Sequence, residues 1–158
     1  MTKDEFIAVA TAAAQTSSAT SGFPLGVTVA QAALESAWGN SRLAREAKNY
    51  FGIKAHAGGE AIELLTVEYV DGTPVRSTAK FAKYASMTEC FAARDRMIAS
   101  LPAYAEARAA AGDAEAFVCA LARHWATDPG YAEKVQYVYR AHGLDKLDSC
   151  WMPAASTK

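Results

Sequence analysis

The sequence predicts an α+β fold, a mainly helical body carrying one β-hairpin lobe, and three features lead to it. Helical apolar periodicity occupies the first third of the chain and returns after Ser86 until about His142. Between these parts, residues 62–82 become rich in β-branched and aromatic types, with Asp71-Gly72 in the middle as a hairpin signal. Finally, residues 27–39 read as a helix that is apolar nearly all the way round, which places it inside a domain. A hairpin inserted into a helical body leaves a cleft between two lobes, a natural place for a polymer to lie.

Taken in order, residues 2–15 form the first helix: Thr2 and Glu5 have capping-box spacing, with Phe6, Val9, Ala10 and Ala13 inward. Residues 16–22 are small and polar and suit a loop. Pro24 and Gly26 lead into the apolar helix, Gly39 ends it, and Asn40 is placed to cap a short helix at 41–47. A tight aromatic segment follows at 49–54, bending at Gly52. The hairpin arms are 62–70 and 74–82, with room for a third short strand. Thr66, Glu68 and Val70 share one face, opposite Leu65, Val67 and Tyr69.

Ser86 and Glu89 have capping-box spacing ahead of a helix containing Phe91, Met97, Ile98 and Leu101, which stops before Pro102. A short alanine-rich helix covers 104–111, and Asp113 caps another at 114–123. Asp128, with Pro129 at the first helical position, starts the last helix, which ends near Gly143. One domain over 1–148 and a flexible tail over 149–158 complete the expected organisation.

Composition narrows the function classes. At 158 residues and 51% hydrophobic, the chain suits one domain with a single core and not a disordered segment. A net charge of −1 with no basic run gives no footprint for nucleic acid. The three cysteines, Cys90, Cys119 and Cys150, are widely spaced and odd in number, matching neither a disulfide framework nor a zinc site. His56, His124 and His142 lack metal-ligand spacing, so neither metal nor cofactor is expected. No stretch approaches the ~20 apolar residues of a membrane span. The N-terminus goes straight into a helix without the pattern of a signal peptide, which leaves the export route unassigned.

Within the apolar helix, Glu35 falls about 60° from Trp38, at the border of the buried stripe. Its one-turn neighbours are Gln31 and Gly39, so no cation at helical spacing neutralises it. A carboxylate on such a helix is paired, protonated or facing a cleft. Desolvation would raise its pKa and suit it to protonate a leaving oxygen. The bland alternative is a glutamate bonded to backbone donors or to a distant arginine such as Arg42. Glu68 on the hairpin is a second carboxylate that with Glu35 would make a glycosidase pair, and Glu60 and Glu63 compete with it. Tyr131 and Trp125 offer aromatic faces to a sugar, or simply pack in the core.

The run from Ala30 to Gly39 (AQAALESAWG), followed by Asn49 to Lys54 (NYFGIK), resembles the signature of glycoside hydrolase family 73. Lys80 to Tyr84 (KFAKY) and Ala126 to Lys134 (ATDPGYAEK) agree in the same order. The resemblance implies a lysozyme-like fold and cleavage of the β-1,4 bond between N-acetylglucosamine and N-acetylmuramic acid in the peptidoglycan glycan strand. It implies Glu35 as the catalytic acid and favours Glu68 as the second functional glutamate. It further implies Tyr131 as a cleft residue and Asn49 and Phe51 as shapers of the wall near Glu35; beside what the resemblance implies, Trp125 and Tyr69 are read as further substrate-binding candidates. Such an enzyme would be a monomer acting at the cell wall, in the periplasm or outside the cell. Two departures stand out: Ala92-Ala93-Arg94 where many relatives carry a polar or acidic residue, and His124-Trp125 in place of smaller or tyrosine-bearing versions.

Two alternatives remain open at this level. One is a lytic transglycosylase, which would usually carry a glycine-rich Gly-Leu-Met-Gln type motif where this chain has Asn49 to Lys54. The other is a non-catalytic wall-binding or assembly module that keeps the fold.

Overall fold

In the structure, a computed structural model that describes residues 1–150, the α-helices pack as a body around one core and one long hairpin leaves it. Helix α1 (Lys3–Ser21) starts with a true capping box: Thr2 accepts from the Glu5 amide and Glu5 accepts from that of Thr2. It runs six residues past the expected end at 15 and closes on Gly22, whose φ is 73°. Ser17 and Ser18 are buried there, so packing overrides the weak helix preference of a serine- and threonine-rich segment.

Helix α2 (Leu25–Glu35) is the centre of the body, with every residue from Leu25 to Ala33 buried. It has no local side-chain cap, because Pro24 occupies that position. Asp148 supplies one from the far end of the chain, accepting from the Gly26 amide at 3.0 Å. Asp148 belongs to helix α8 (Asp145–Cys150), which takes in the first two residues of the expected tail; the tail's remainder, 151–158, lies outside the described residues. Gly26 is required here, since a Cβ at this position would stand 2.1 Å from the Leu144 carbonyl oxygen.

Helix α2 also ends earlier than expected, at Glu35. The chain turns left-handed through Ala37 and Trp38, with φ of 50° and 58°. Ser36 fastens the turn, donating to the Ala32 carbonyl and accepting from the Gly39 amide. Trp38 therefore leaves the helical stripe and packs against Phe6 and His142, so it is not the indole beside Glu35. Ser41, not Asn40, caps α3 (Arg42–Ala47).

Strands β1 (Ala61–Val70) and β2 (Thr73–Ala82) pair antiparallel from Ala61↔Ala82 to Val70↔Thr73. Asp71 and Gly72 both have positive φ, the conformation that a two-residue hairpin turn demands. In place of a third strand there is one bridge, Lys54 to Phe81. Helix α4 (Met87–Ser100), a 3-10 turn (Pro102–Tyr104) and α5 (Ala105–Ala109) cover one side of the core. Helices α6 (Ala114–Trp125) and α7 (Tyr131–Ala141) follow, with α7 packed along α2. Helix α7 begins two residues later than expected. Asp128 accepts from the Gly130 amide instead of capping the helix from the position before Pro129.

Candidate active site

A cleft of about 1230 Å³ separates the root of the hairpin from the helical body. One wall is the segment from Phe51 to Lys54 with the end of β2, and the other is the exposed face of α4 and the approach to α7. Glu35 lies on this cleft and is half-buried in the last turn of α2. Burial raises its pKa, and the hydroxyl of Tyr131 and indole of Trp125 pull weakly the other way. The partial negative charge at the end of α2 acts in the same direction as burial. Among the described residues no lysine, arginine or histidine pairs with Glu35, and Arg42 is bound to Glu46 instead. The group is thus a carboxyl that holds its proton more tightly than an ordinary glutamate and faces open space.

The aromatic expectations converge on it. Phe51 is buried between Phe91 and Trp125, with ring centroids 4.9 and 6.3 Å away, and lines the cleft. Trp125 sits half-exposed at the wall and also packs on Tyr104 at 6.1 Å. Tyr131, the first residue of α7, is buried with its hydroxyl beside Glu35. Burial, followed by the Glu35 charge, pushes its pKa far up, so it is a neutral donor at any physiological pH.

Asn49 touches no open space. Its amide nitrogen donates to the carbonyls of Ile53 and Ala82, both at 2.9 Å, and its oxygen accepts from the amides of Phe51 and Ile53. It therefore shapes the wall from behind by tying the Phe51–Lys54 turn to the end of β2.

The hairpin carboxylates are not gathered at Glu35. Ile62, Leu64 and Thr66 are half-buried and pair with Phe81, Ala79 and Ser77, forming the hairpin face that continues the cleft wall at Phe81. Glu68, opposite Val75, extends this face but is exposed. Six residues separate it from Ile62, roughly 20 Å along the strand. Tyr69 and Glu63 lie on the opposite face, and Tyr69 is 75% exposed. Glu60, at the hairpin's root, does line the cleft.

Two polar residues behind the site went unassigned from sequence. Arg94 is fully buried under α2, and its guanidinium donates to Gln31 Oε1 at 3.0 and 2.8 Å, to Thr28 at 2.9 Å and to Asp95 at 2.7 Å. Its plane lies over the rings of Phe51 and Phe117. The readable signal was the spacing Phe91, Arg94, Asp95, Ile98, which sets a charged pair at inward positions of α4.

Comparison with known proteins agrees with this architecture. The sequence profile of the glucosaminidase family, described as mannosyl-glycoprotein endo-beta-N-acetylglucosaminidase, matches residues 11–144. The chain belongs to the glucosaminidase family. The chain is 36% identical over 137 residues to the peptidoglycan hydrolase FlgJ of Salmonella typhimurium, covering 83% of its own length and 43% of that relative. It is 33% identical over 127 residues to the exo-glucosaminidase LytG of Bacillus subtilis, covering 77% and 45%. The chain thus spans less than half the length of these curated relatives. Among solved structures, the catalytic domain of the autolysin Auto from Listeria monocytogenes superposes with a TM-score of 0.82 at 28% identity, covering 92% of this chain and 87% of that one. A truncated glycoside hydrolase domain of Salmonella typhimurium FlgJ gives 0.74 at 35%, covering 90% and 98%. The lysozyme-like α+β fold of the chain is therefore shared with glycoside hydrolase domains.

Proposed function

We propose that this member of the glucosaminidase family hydrolyses the β-1,4 bond between N-acetylglucosamine and N-acetylmuramic acid in peptidoglycan, with Glu35 as general acid. The observation that carries the reading is the Glu35 carboxyl: half-buried, without a cationic partner, raised in pKa and open to a cleft of about 1230 Å³. As the glycosidic bond breaks, Glu35 passes its proton to the leaving oxygen while positive charge develops on the sugar ring. The carboxylate left behind then helps stabilise that charge. Trp125 supplies apolar surface for a sugar face, Phe51 backs it from behind, and Tyr131 supports Glu35. The names of the relatives, peptidoglycan hydrolase and exo-glucosaminidase, favour this substrate.

Glu68 is the second carboxylate of the proposal, as base toward water or as an orienting charge. It shares the hairpin face that runs into the cleft wall, whereas Glu63 does not. The roughly 20 Å along the strand means that it acts only if the outer hairpin bends over a bound glycan. Residues 67–76, the outer part of the hairpin, are all exposed.

Clearing of a suspension of purified peptidoglycan, followed by mass spectrometry of the products, tests the reading. New reducing N-acetylglucosamine ends are expected. Anhydro-muramyl ends would make the protein a transglycosylase, and reducing N-acetylmuramic acid ends a muramidase. No clearing at all would leave a wall-binding module.

A further inference from the structure

Two buried polar atoms next to Glu35 have no hydrogen bond among the described residues: the side-chain nitrogen of Gln31 and the hydroxyl of Tyr131. They are neighbours. The Tyr131 hydroxyl is near enough to interact with both the Gln31 amide and the Glu35 carboxyl. The orientation of Gln31 is dictated from behind. Arg94 has only donors, so the atom facing it must be the amide oxygen, which takes its Nε and Nη2 at 3.0 and 2.8 Å. Arg94 cannot turn away, because Thr28 and Asp95 hold Nη1, Ser21 holds the other oxygen of Asp95 at 2.7 Å, and two phenyl rings enclose the guanidinium.

We propose that Arg94 and Gln31 are positioning residues that set the direction of the Tyr131 hydroxyl. With its oxygen occupied by Arg94, Gln31 turns its N–H₂ toward the oxygen of Tyr131. The single hydrogen of Tyr131 is then left to donate to Glu35. When Glu35 gives its proton to the glycosidic oxygen and becomes a carboxylate, that donor is already aimed at it. The tyrosine proton stays on tyrosine throughout, and no other atom is transferred. The two unmatched atoms are the part of this chain that closes up as the carboxylate forms. The inference rests on Glu35 being the acid.

A double-mutant cycle on kcat and KM with soluble peptidoglycan fragments tests it. Tyr131→Phe is expected to lower kcat about ten- to a hundredfold, the loss of one hydrogen bond to a charged group. Gln31→Met is expected to lower kcat about three- to tenfold with KM unchanged, and to have no further effect in the Tyr131→Phe background. Equal losses in both backgrounds, or none in the parent, would overturn the proposal, because a residue that only packs the core acts whether or not the hydroxyl is present. If Gln31→Met does not fold, Gln31→Glu replaces it, keeping the acceptor for Arg94 and losing the donor for Tyr131. Full activity of that variant, or a loss that persists without the hydroxyl, overturns the proposal, and a loss confined to the Tyr131 background supports it. Glu35→Gln run alongside separates two failures. An active Glu35→Gln enzyme removes the acid assignment, whereas an inactive one with an additive cycle removes only the positioning role.

Discussion

Gly26→Ala should destabilise the protein far more than one methyl group suggests. The new Cβ would stand 2.1 Å from the Leu144 carbonyl oxygen and 2.9 Å from the Asp148 carboxylate, whereas real Cβ contacts essentially never fall below 3.0 Å. At least 0.9 Å of separation must therefore be found between α2 and the start of α8. Overpacking of this kind costs about 1–3 kcal/mol. The same displacement loosens the Gly26 amide from Asp148, a charge-assisted bond of 3.0 Å and the N-terminal cap of α2. Its loss adds about 1.5–3 kcal/mol. Together these give about 2.5–6 kcal/mol, and at roughly 2–4 °C per kcal/mol the melting temperature falls by about 5–24 °C. Urea unfolding and a thermal melt measure this directly. A loss below about 1 kcal/mol would refute the claim that α2 is seated against the end of the chain through Gly26.

Other outcomes follow from the same geometry. Glu35→Gln should melt higher than the parent at pH 7 and converge with it below about pH 4, because a carboxyl whose folded pKa is raised stabilises the fold only while protonated. The alkaline limb of the parent's pH–activity profile should lie above the ordinary glutamate range for the same reason. Asn49→Asp removes the donors to Ile53 and Ala82 and sets a carboxylate against two carbonyls, so a loss of about 3 kcal/mol is expected in urea unfolding. A thiol reagent with peptide mapping should label exposed Cys119 in the folded protein and spare Cys90. That thiol is buried, with its pKa pushed up to about 12, and should react only after denaturation. Glu68→Gln should leave the melting temperature within about 1–2 °C while lowering kcat at least tenfold. A smaller loss would remove Glu68 from the mechanism.

Local signals in the chain were legible where structure depends on neighbours in sequence. The Thr2–Glu5 box, the Asp71-Gly72 turn and the caps at Ser86 and Asp113 all operate over two to four residues. Glu35 could be read as exceptional because its own helix offers no partner. Its indole was misassigned, since a left-handed turn at Ala37 and Trp38 breaks the helical wheel and the real neighbour, Trp125, comes from α6. Helix α8 was hidden for a similar reason: Asp148 earns its place by capping a helix 122 positions earlier. Arg94 looked like a departure from the family pattern, yet it is the buried cation that holds α4 to α2 through Gln31 and Thr28. Contacts between distant segments created each of these features, and periodicity carries no record of them.

Glu35→Gln bears most directly on the central claim. Parent and variant, both folded at the assay temperature by circular dichroism, would be incubated with purified peptidoglycan and their products resolved by mass spectrometry. The parent should release reducing N-acetylglucosamine ends, and the variant should be slower by at least about a hundredfold, the contribution of a general acid. A variant that clears the wall at the parent's rate would contradict the account.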